Sequence, residues 1–191
     1  RARRQVVFFV RRTLETFLMS AHSEEVGLSK WHTYYPAKKW HEGRDLPQGV
    51  PKDYGDFYVD VARQLWDKMK LGAACKPVFI TYDSVMKQAQ LEMKQIHCTA
   101  LLVDEAQDLN MCQVQWLASQ KNCQTFFVGD AVQTIYSFRG AKSKFLMELR
   151  VDVDRKLTGS FRFGPRIGAV ANTLLFAKEH SRQSDWLPYR I

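Results

Sequence analysis

Two adjacent carboxylates, Asp104 and Glu105, follow the apolar run Leu101-Leu102-Val103 and lead into Ala106-Gln107-Asp108. A short apolar run ending in charge reads as a buried parallel strand, and ligands of open α/β sheets bind beyond the C-terminal ends of such strands. Two acids there can divide the labour of phosphoryl transfer. One holds Mg²⁺, mostly through water, while the next orients or deprotonates an attacking water. The same residues also fit a solvated Asp-Glu turn, and the pair alone does not choose between the two. A second apolar run, Thr125–Val128, enters Gly129-Asp130-Ala131-Val132-Gln133-Thr134-Ile135-Tyr136-Ser137-Phe138-Arg139-Gly140-Ala141. A third block, Leu157-Thr158-Gly159-Ser160-Phe161-Arg162, precedes a helix that contains Ala171-Asn172.

In this order and spacing the three blocks resemble motifs II, III and IV of UvrD/Rep-type superfamily 1 DNA helicases, written DExxD, GDxxQxIYxFRGA and LxxSFR followed by a helix with AN. Within that family the chain is similar to the eukaryotic F-box DNA helicases at three segments. These are Val10-Arg11-Arg12-Thr13-Leu14-Glu15-Thr16-Phe17, Thr81-Tyr82-Asp83 with Lys87, and Ser160-Phe161-Arg162-Phe163-Gly164. The likeness covers most of the chain and is poor over Trp31–Asp56.

The resemblance implies an α/β fold: an incomplete RecA-like P-loop NTPase motor domain with a parallel sheet, plus a helical insertion subdomain. It places the insertion at residues 1–75 and the later part of the first motor domain at 76–191. It implies ATP and Mg²⁺ as cofactors, with Asp104 on the metal and Glu105 on the attacking water. Gln133 would sense the γ-phosphate and couple its loss to DNA. Arg162 would neutralise charge on that phosphate, a role worth about 10³–10⁵ in rate in related NTPases. Phe161 would stack on adenine. Tyr136, Phe138 and Arg139 would meet single-stranded DNA, with one aromatic, foremost Phe138, stacking a base for roughly 1–3 kcal/mol. The activity implied is ATP-dependent 3′→5′ unwinding in DNA repair or recombination, on single strands and junctions. An F-box type protein would add ubiquitin-ligase partners and a nuclear location; otherwise the location would be cytoplasmic. Two alternatives are a non-catalytic nucleic-acid- or protein-binding remnant and the helicase part of a nuclease–helicase fusion.

The residues leave other readings open. Phe161 and Phe138 also suit a core, one of Tyr136 and Phe138 suits burial, and Arg139 suits a structural pairing with Asp108 or Asp130. Gly129 and Gly140 read as backbone requirements. The five His residues form no ligand set.

The elements that must position these groups follow from periodicity. Val10, Leu14, Phe17, Leu18 and Ala21 predict a helix over about 10–22, with Gly27 as its stop. Pro36, Pro47 and Pro51 break the next stretch, where Trp31, Tyr34, Tyr35 and Trp40 either pack the loop or stack bases. Phe57, Val61, Leu65 and Met69, with Trp66 beside them, predict a helix over 56–70. Ala100–Val103 and Thr125–Val128 predict parallel strands, each followed by helical stretches. Ile167, Val170, Ala171, Leu174 and Leu175 predict an amphipathic helix over 165–179 opened by Pro165.

The 191 residues carry a net charge of +8, contributed as +4, +1, 0 and +3 by residues 1–50, 51–100, 101–150 and 151–191. A basic frame suits a polyanion, and it equally suits a basic solvated surface. No apolar run approaches the roughly 18–20 residues that span a bilayer. Cys75, Cys98, Cys112 and Cys123 lack CxxC or metal-ligand spacing, which points to a reducing intracellular compartment. None of the ten glycines opens a GxxxxGK[ST] phosphate loop. The expectation is therefore a partial helicase chain that does not hydrolyse ATP alone. The family's sheet would also leave Thr125–Val128 with an apolar unpaired edge here.

Overall fold

A computed structural model of the chain describes residues 2–22, 27–29, 32–33, 54–74, 80–141 and 143–180. It divides into two compact units, Arg1–Leu149 and Arg150–Ile191. The aromatic loop residues Trp31, Tyr34, Tyr35 and Trp40, and Cys75, lie outside the described residues.

The first unit opens with α1 (Ala2–Leu18), packed on α2 (Tyr54–Lys70). Helix α1 begins well before the predicted start. Val6–Val10 is apolar all round and shows no period, yet it winds with Phe9 and Val10 inward and Val7 and Phe8 exposed. The helix closes at Leu18, where Met19 N–H donates to Glu15 O (3.1 Å) and Ser20 N–H to Phe17 O (3.0 Å). Gly27 is therefore not the stop; it lies beyond that end, at φ 56°. On α2 the buried residues are Tyr58, Val59, Ala62, Trp66 and Met69, while Phe57, Val61 and Leu65 flank them half-buried. The inward face is thus turned from the predicted stripe. The large rings decide it: Tyr58 meets Phe9 (centroids 5.7 Å apart) and Trp66 meets Phe17 edge-on (5.8 Å).

Helix α3 (Tyr82–Leu91) and helix α4 (Met111–Ala118) each start on a capping box. Thr81 and Ser84 exchange side-chain and backbone bonds in α3, and Asn110 and Gln113 do so in α4. Gln90, buried on α3, donates to Gln115 of α4 (2.8 Å). Fully buried Lys87 donates to Ser20 O (3.1 Å) and His22 O (2.6 Å), which fixes the segment just past α1 against α3. Cys112 N–H donates to Met19 O (3.2 Å) and ties α4 to the same segment.

Strand β1 (Ala100–Val103) pairs in parallel with β2 (Gln124–Phe127), in the register Ala100↔Gln124 to Val103↔Phe127. β1 matches its predicted bounds. β2 starts one residue early because Gln124 N–H donates to Thr99 O (3.0 Å), while Val128 still donates to Val103 O (2.8 Å). The strands are not buried on both faces. Leu101, Val103 and Phe127 pack inward with Ala106 and Leu117, whereas Leu102 is 75% exposed and Phe126 and Val128 are also exposed. After β2 come 3₁₀ turns at Ala131–Gln133 and Ser137–Arg139 and then the short helix α5 (Ser143–Met147).

The second unit holds α6 (Pro165–His180), with the predicted start. Its Ile167, Val170 and Leu174 are exposed, whereas Ala171 and Leu175 of the predicted stripe are half-buried. No described helix is long and apolar enough to cross a membrane.

Candidate functional site

β1 ends by delivering Asp104 and Glu105 to the surface, both exposed. Asp104 Oδ1 accepts from Glu105 N–H (2.9 Å). Glu105 itself sits in the left-handed region, at φ 51° and ψ 40°. That conformation costs a non-glycine residue of order 1–3 kcal/mol, and such outliers cluster at functional sites where surroundings hold them in place. The backbone then makes the 3₁₀ turn Ala106–Asp108, anchored by Ala106 N–H to Val128 O (2.9 Å).

That anchor brings the turn against the segment leaving β2. Gln107, 1% exposed, donates from Nε2 to Glu105 Oε2 (2.6 Å) and accepts at Oε1 from Asp130 N–H (2.9 Å). The approach is close enough to require glycine at 129. A Cβ there would lie 2.6 Å from Gln107 Oε1, 3.0 Å from Ala106 N and 3.1 Å from Gln107 N. Asp130 caps the next turn, with Oδ1 accepting from Val132 N–H (2.9 Å) and Oδ2 from Gln133 Nε2 (2.7 Å). Asp108 Oδ1 accepts from Ile135 N–H (3.3 Å), a second tie between the two segments.

Of the residues singled out in the sequence, Asp104, Glu105 and Gln133 therefore belong to one hydrogen-bonded surface at the C-terminal strand ends. Tyr136 and Arg139 follow on the same loop, both exposed. Gly140 turns that loop at φ 81°, and Ala141 N–H donates back to Tyr136 O (3.3 Å). The side chain of Phe138 lies outside the described residues. Arg139 does not pair with Asp108 or Asp130. Its Nη2 bridges both carboxylate oxygens of Asp83 on α3, at 3.0 and 3.2 Å. Phe161 and Arg162 belong to the second unit; both are exposed, and Arg162 N–H donates to Ser160 Oγ (3.3 Å).

Two contributors escaped the sequence reading, Gln107 and, as partner of Arg139, Asp83; Asp130, read as suited to pair with Arg139, instead caps the turn that carries Gln133. Gln107 fell among the spacer positions of DExxD, and nothing in its residue type signals a buried bridge. A glycine immediately before Asp130, at the end of a strand, was the available hint of a close approach. Behind the site, burial shapes the titrating groups. Desolvation pushes the Lys87 ammonium down to about 8 and the Cys112 thiol up to about 11. Desolvation and neighbouring His22 push His32 down to about 4, with His22 Nδ1 lying 2.7 Å from His32 Nε2.

The family model described as UvrD/REP helicase N-terminal domain matches residues 37–154. F-box DNA helicase 1 of Gallus gallus is 36% identical over 169 residues, covering 87% of this chain and 16% of that protein. F-box DNA helicase protein 1 of Schizosaccharomyces pombe is 42% identical over 80 residues, covering 41% of this chain and 9% of that protein. The ATP-dependent DNA helicase Rep of Buchnera aphidicola (subsp. Schizaphis graminum) is 37% identical over 140 residues, covering 69% of this chain and 21% of that protein. The chain thus spans well under a quarter of each relative's length. No solved structure matches it. With two parallel strand ends presenting the acidic pair and the glutamine loop, and with the family match covering most of its length, this chain belongs to the UvrD/REP helicase N-terminal domain family.

Proposed function

We propose that the chain is part of the first motor domain of an ATP-dependent DNA helicase that moves 3′→5′ along single strands. Residues 1–75 would form a helical insertion and 76–191 the later, RecA-like part of the motor. The observation that carries this reading is the continuous bonding from Glu105 through Gln107 and Asp130 to Gln133, on the loop that bears Tyr136 and Arg139. A hydrolytic carboxylate and a nucleic-acid-facing loop then share one rigid support, as a motor requires.

The donor set suits Mg²⁺ beside a nucleotide. That cation is held through one or two carboxylates, with phosphates and water completing its shell. Asp104, exposed at the strand end with Oδ1 fixed by the Glu105 amide, supplies such a carboxylate. When bound, the ion neutralises charge on the phosphates. Glu105 orients the attacking water and accepts its proton. Gln133 meets the γ-phosphate and Arg162 balances its charge, while Phe161 offers an exposed ring to adenine. Tyr136, Phe138 and Arg139 contact the DNA strand.

Relatives named F-box DNA helicase support a wider setting in a eukaryotic protein. There a nuclear enzyme of DNA repair or recombination would also bind ubiquitin-ligase components.

In the full-length protein, Glu105→Gln is expected to lower DNA-stimulated ATP turnover by about 10²-fold or more while nucleotide still binds. Unwinding should require a 3′ single-stranded tail on a partial duplex. Normal hydrolysis by the variant would overturn the role of Glu105, and unwinding only from a 5′ tail would overturn the polarity.

A further inference from the structure

Resting on that reading, we propose that Gln107 is a positioning residue that couples the water-activating carboxylate to the DNA-facing loop. Its carboxamide links the acidic turn to the Gly129-Asp130 segment and uses both of its ends, and the chemistry fixes which end faces which. A carboxylate accepts, so the NH₂ group faces Glu105; the Asp130 amide can only donate, so the carbonyl oxygen faces that. The group is planar and buried, so its two bonds move together. A displacement of Gln133 acts on the Asp130 carboxylate (2.7 Å), Asp130 carries its own N–H, and that N–H holds Gln107 Oε1 (2.9 Å). The far end of the same amide holds Glu105 Oε2 (2.6 Å), on a residue already confined to φ 51°. Motion of the loop therefore reorients the carboxylate without any large change in the sheet.

A merely structural glutamine would also be buried and bonded, so the test must read what structure alone would not move. In the full-length protein, Gln107→Ala removes a hydrogen bond to a charged acceptor and leaves the Asp130 amide unpaired. The expected result is a kcat with single-stranded DNA lowered about 10–100-fold, with KM for ATP within about threefold of wild type. The ratio of DNA-stimulated to basal turnover should also collapse. Gln107→Glu keeps the shape but replaces the donor that faces Glu105 with a second acceptor, so that one bond is lost while the Asp130 amide stays paired. Its ratio of DNA-stimulated to basal turnover is expected to fall as in Gln107→Ala.

Binding of a non-hydrolysable ATP analogue separates folding from coupling. If Gln107→Ala loses analogue binding as well, the isosteric Gln107→Glu carries the test through its DNA-stimulation ratio. Glu105→Gln runs alongside as the control on the hydrolytic reading. Wild-type DNA stimulation in Gln107→Ala and in Gln107→Glu, with Glu105→Gln inactive, would overturn the role of Gln107 and leave the motor reading standing. Normal hydrolysis by Glu105→Gln would overturn that reading, and the coupling with it.

Discussion

At the scale of single residues, the geometry concentrates its demands on Gly129. Its missing side chain is what lets the turn after β1 meet the segment after β2, since a methyl group would collide with Gln107 Oε1 and crowd two backbone nitrogens. The glutamine tip could swing away, but the backbone nitrogens of Ala106 and Gln107 would have to give by a few tenths of an ångström beside the bond to Val128 O. Gly129→Ala is therefore expected to destabilise the site by about 1–3 kcal/mol, the range for overpacking a close contact. In the full-length protein, hydrogen exchange at the amides of Asp108 and Asp130 should quicken while that of α2 stays unchanged. Unaltered exchange at both amides would show that the turn absorbs the methyl group. The site is thus held by a residue with no chemistry of its own, as is the left-handed carboxylate it supports.

At the scale of elements, the α1–α2 pair brings together ring packing and a buried imidazole. His32 sits edge-on to Phe17 (5.2 Å) and to His22 (4.7 Å), and its pKa is pushed down to about 4. The fold thus favours the neutral ring. The stability this contributes is present above the ordinary histidine value of 6.5 and is lost as pH falls toward 4. Exchange of α1 amides, corrected for intrinsic chemistry, should accelerate between pH 6.5 and 5 in the full-length protein, and His32→Gln should flatten that dependence. An unchanged slope in the variant would place the sensitivity elsewhere.

The same elements show how far the sequence could be read. β1 was legible because a short apolar run stops abruptly at charge. The start of α1 was hidden, since Val6–Val10 is apolar on every side and carries no period. The inward face of α2 was misplaced because ring size, which periodicity does not weigh, decided which residues turned in. The placement of Asp104, Glu105 and Gln133 together at the strand ends was legible from motif order, whereas the bridge through Gln107 was not. Nor was the pairing of Arg139 with Asp83, a contact across 56 residues that no local pattern encodes.

For the whole molecule, the exposed sheet face and the exposed apolar residues of α6 decide how these 191 residues behave in isolation. Leu102 and Phe126 lie opposite each other in register, with Val128 beyond, and all three are exposed. Ile167, Val170 and Leu174 repeat the problem on a helix. Apolar surface of this kind favours association. The chain expressed alone is expected to be poorly soluble and to melt without a sharp transition. A cooperative thermal melt of a monodisperse sample would contradict both expectations. Arg139 already holds a carboxylate of its own chain, so meeting a DNA phosphate would exchange one anion for another. The neutralised phosphate would still shed a condensed cation into bulk solution, so the contact would loosen as salt rises like any other. Asp83 would be left as an uncompensated negative charge, so the grip through Arg139 would be weaker than that of an arginine with no carboxylate to give up.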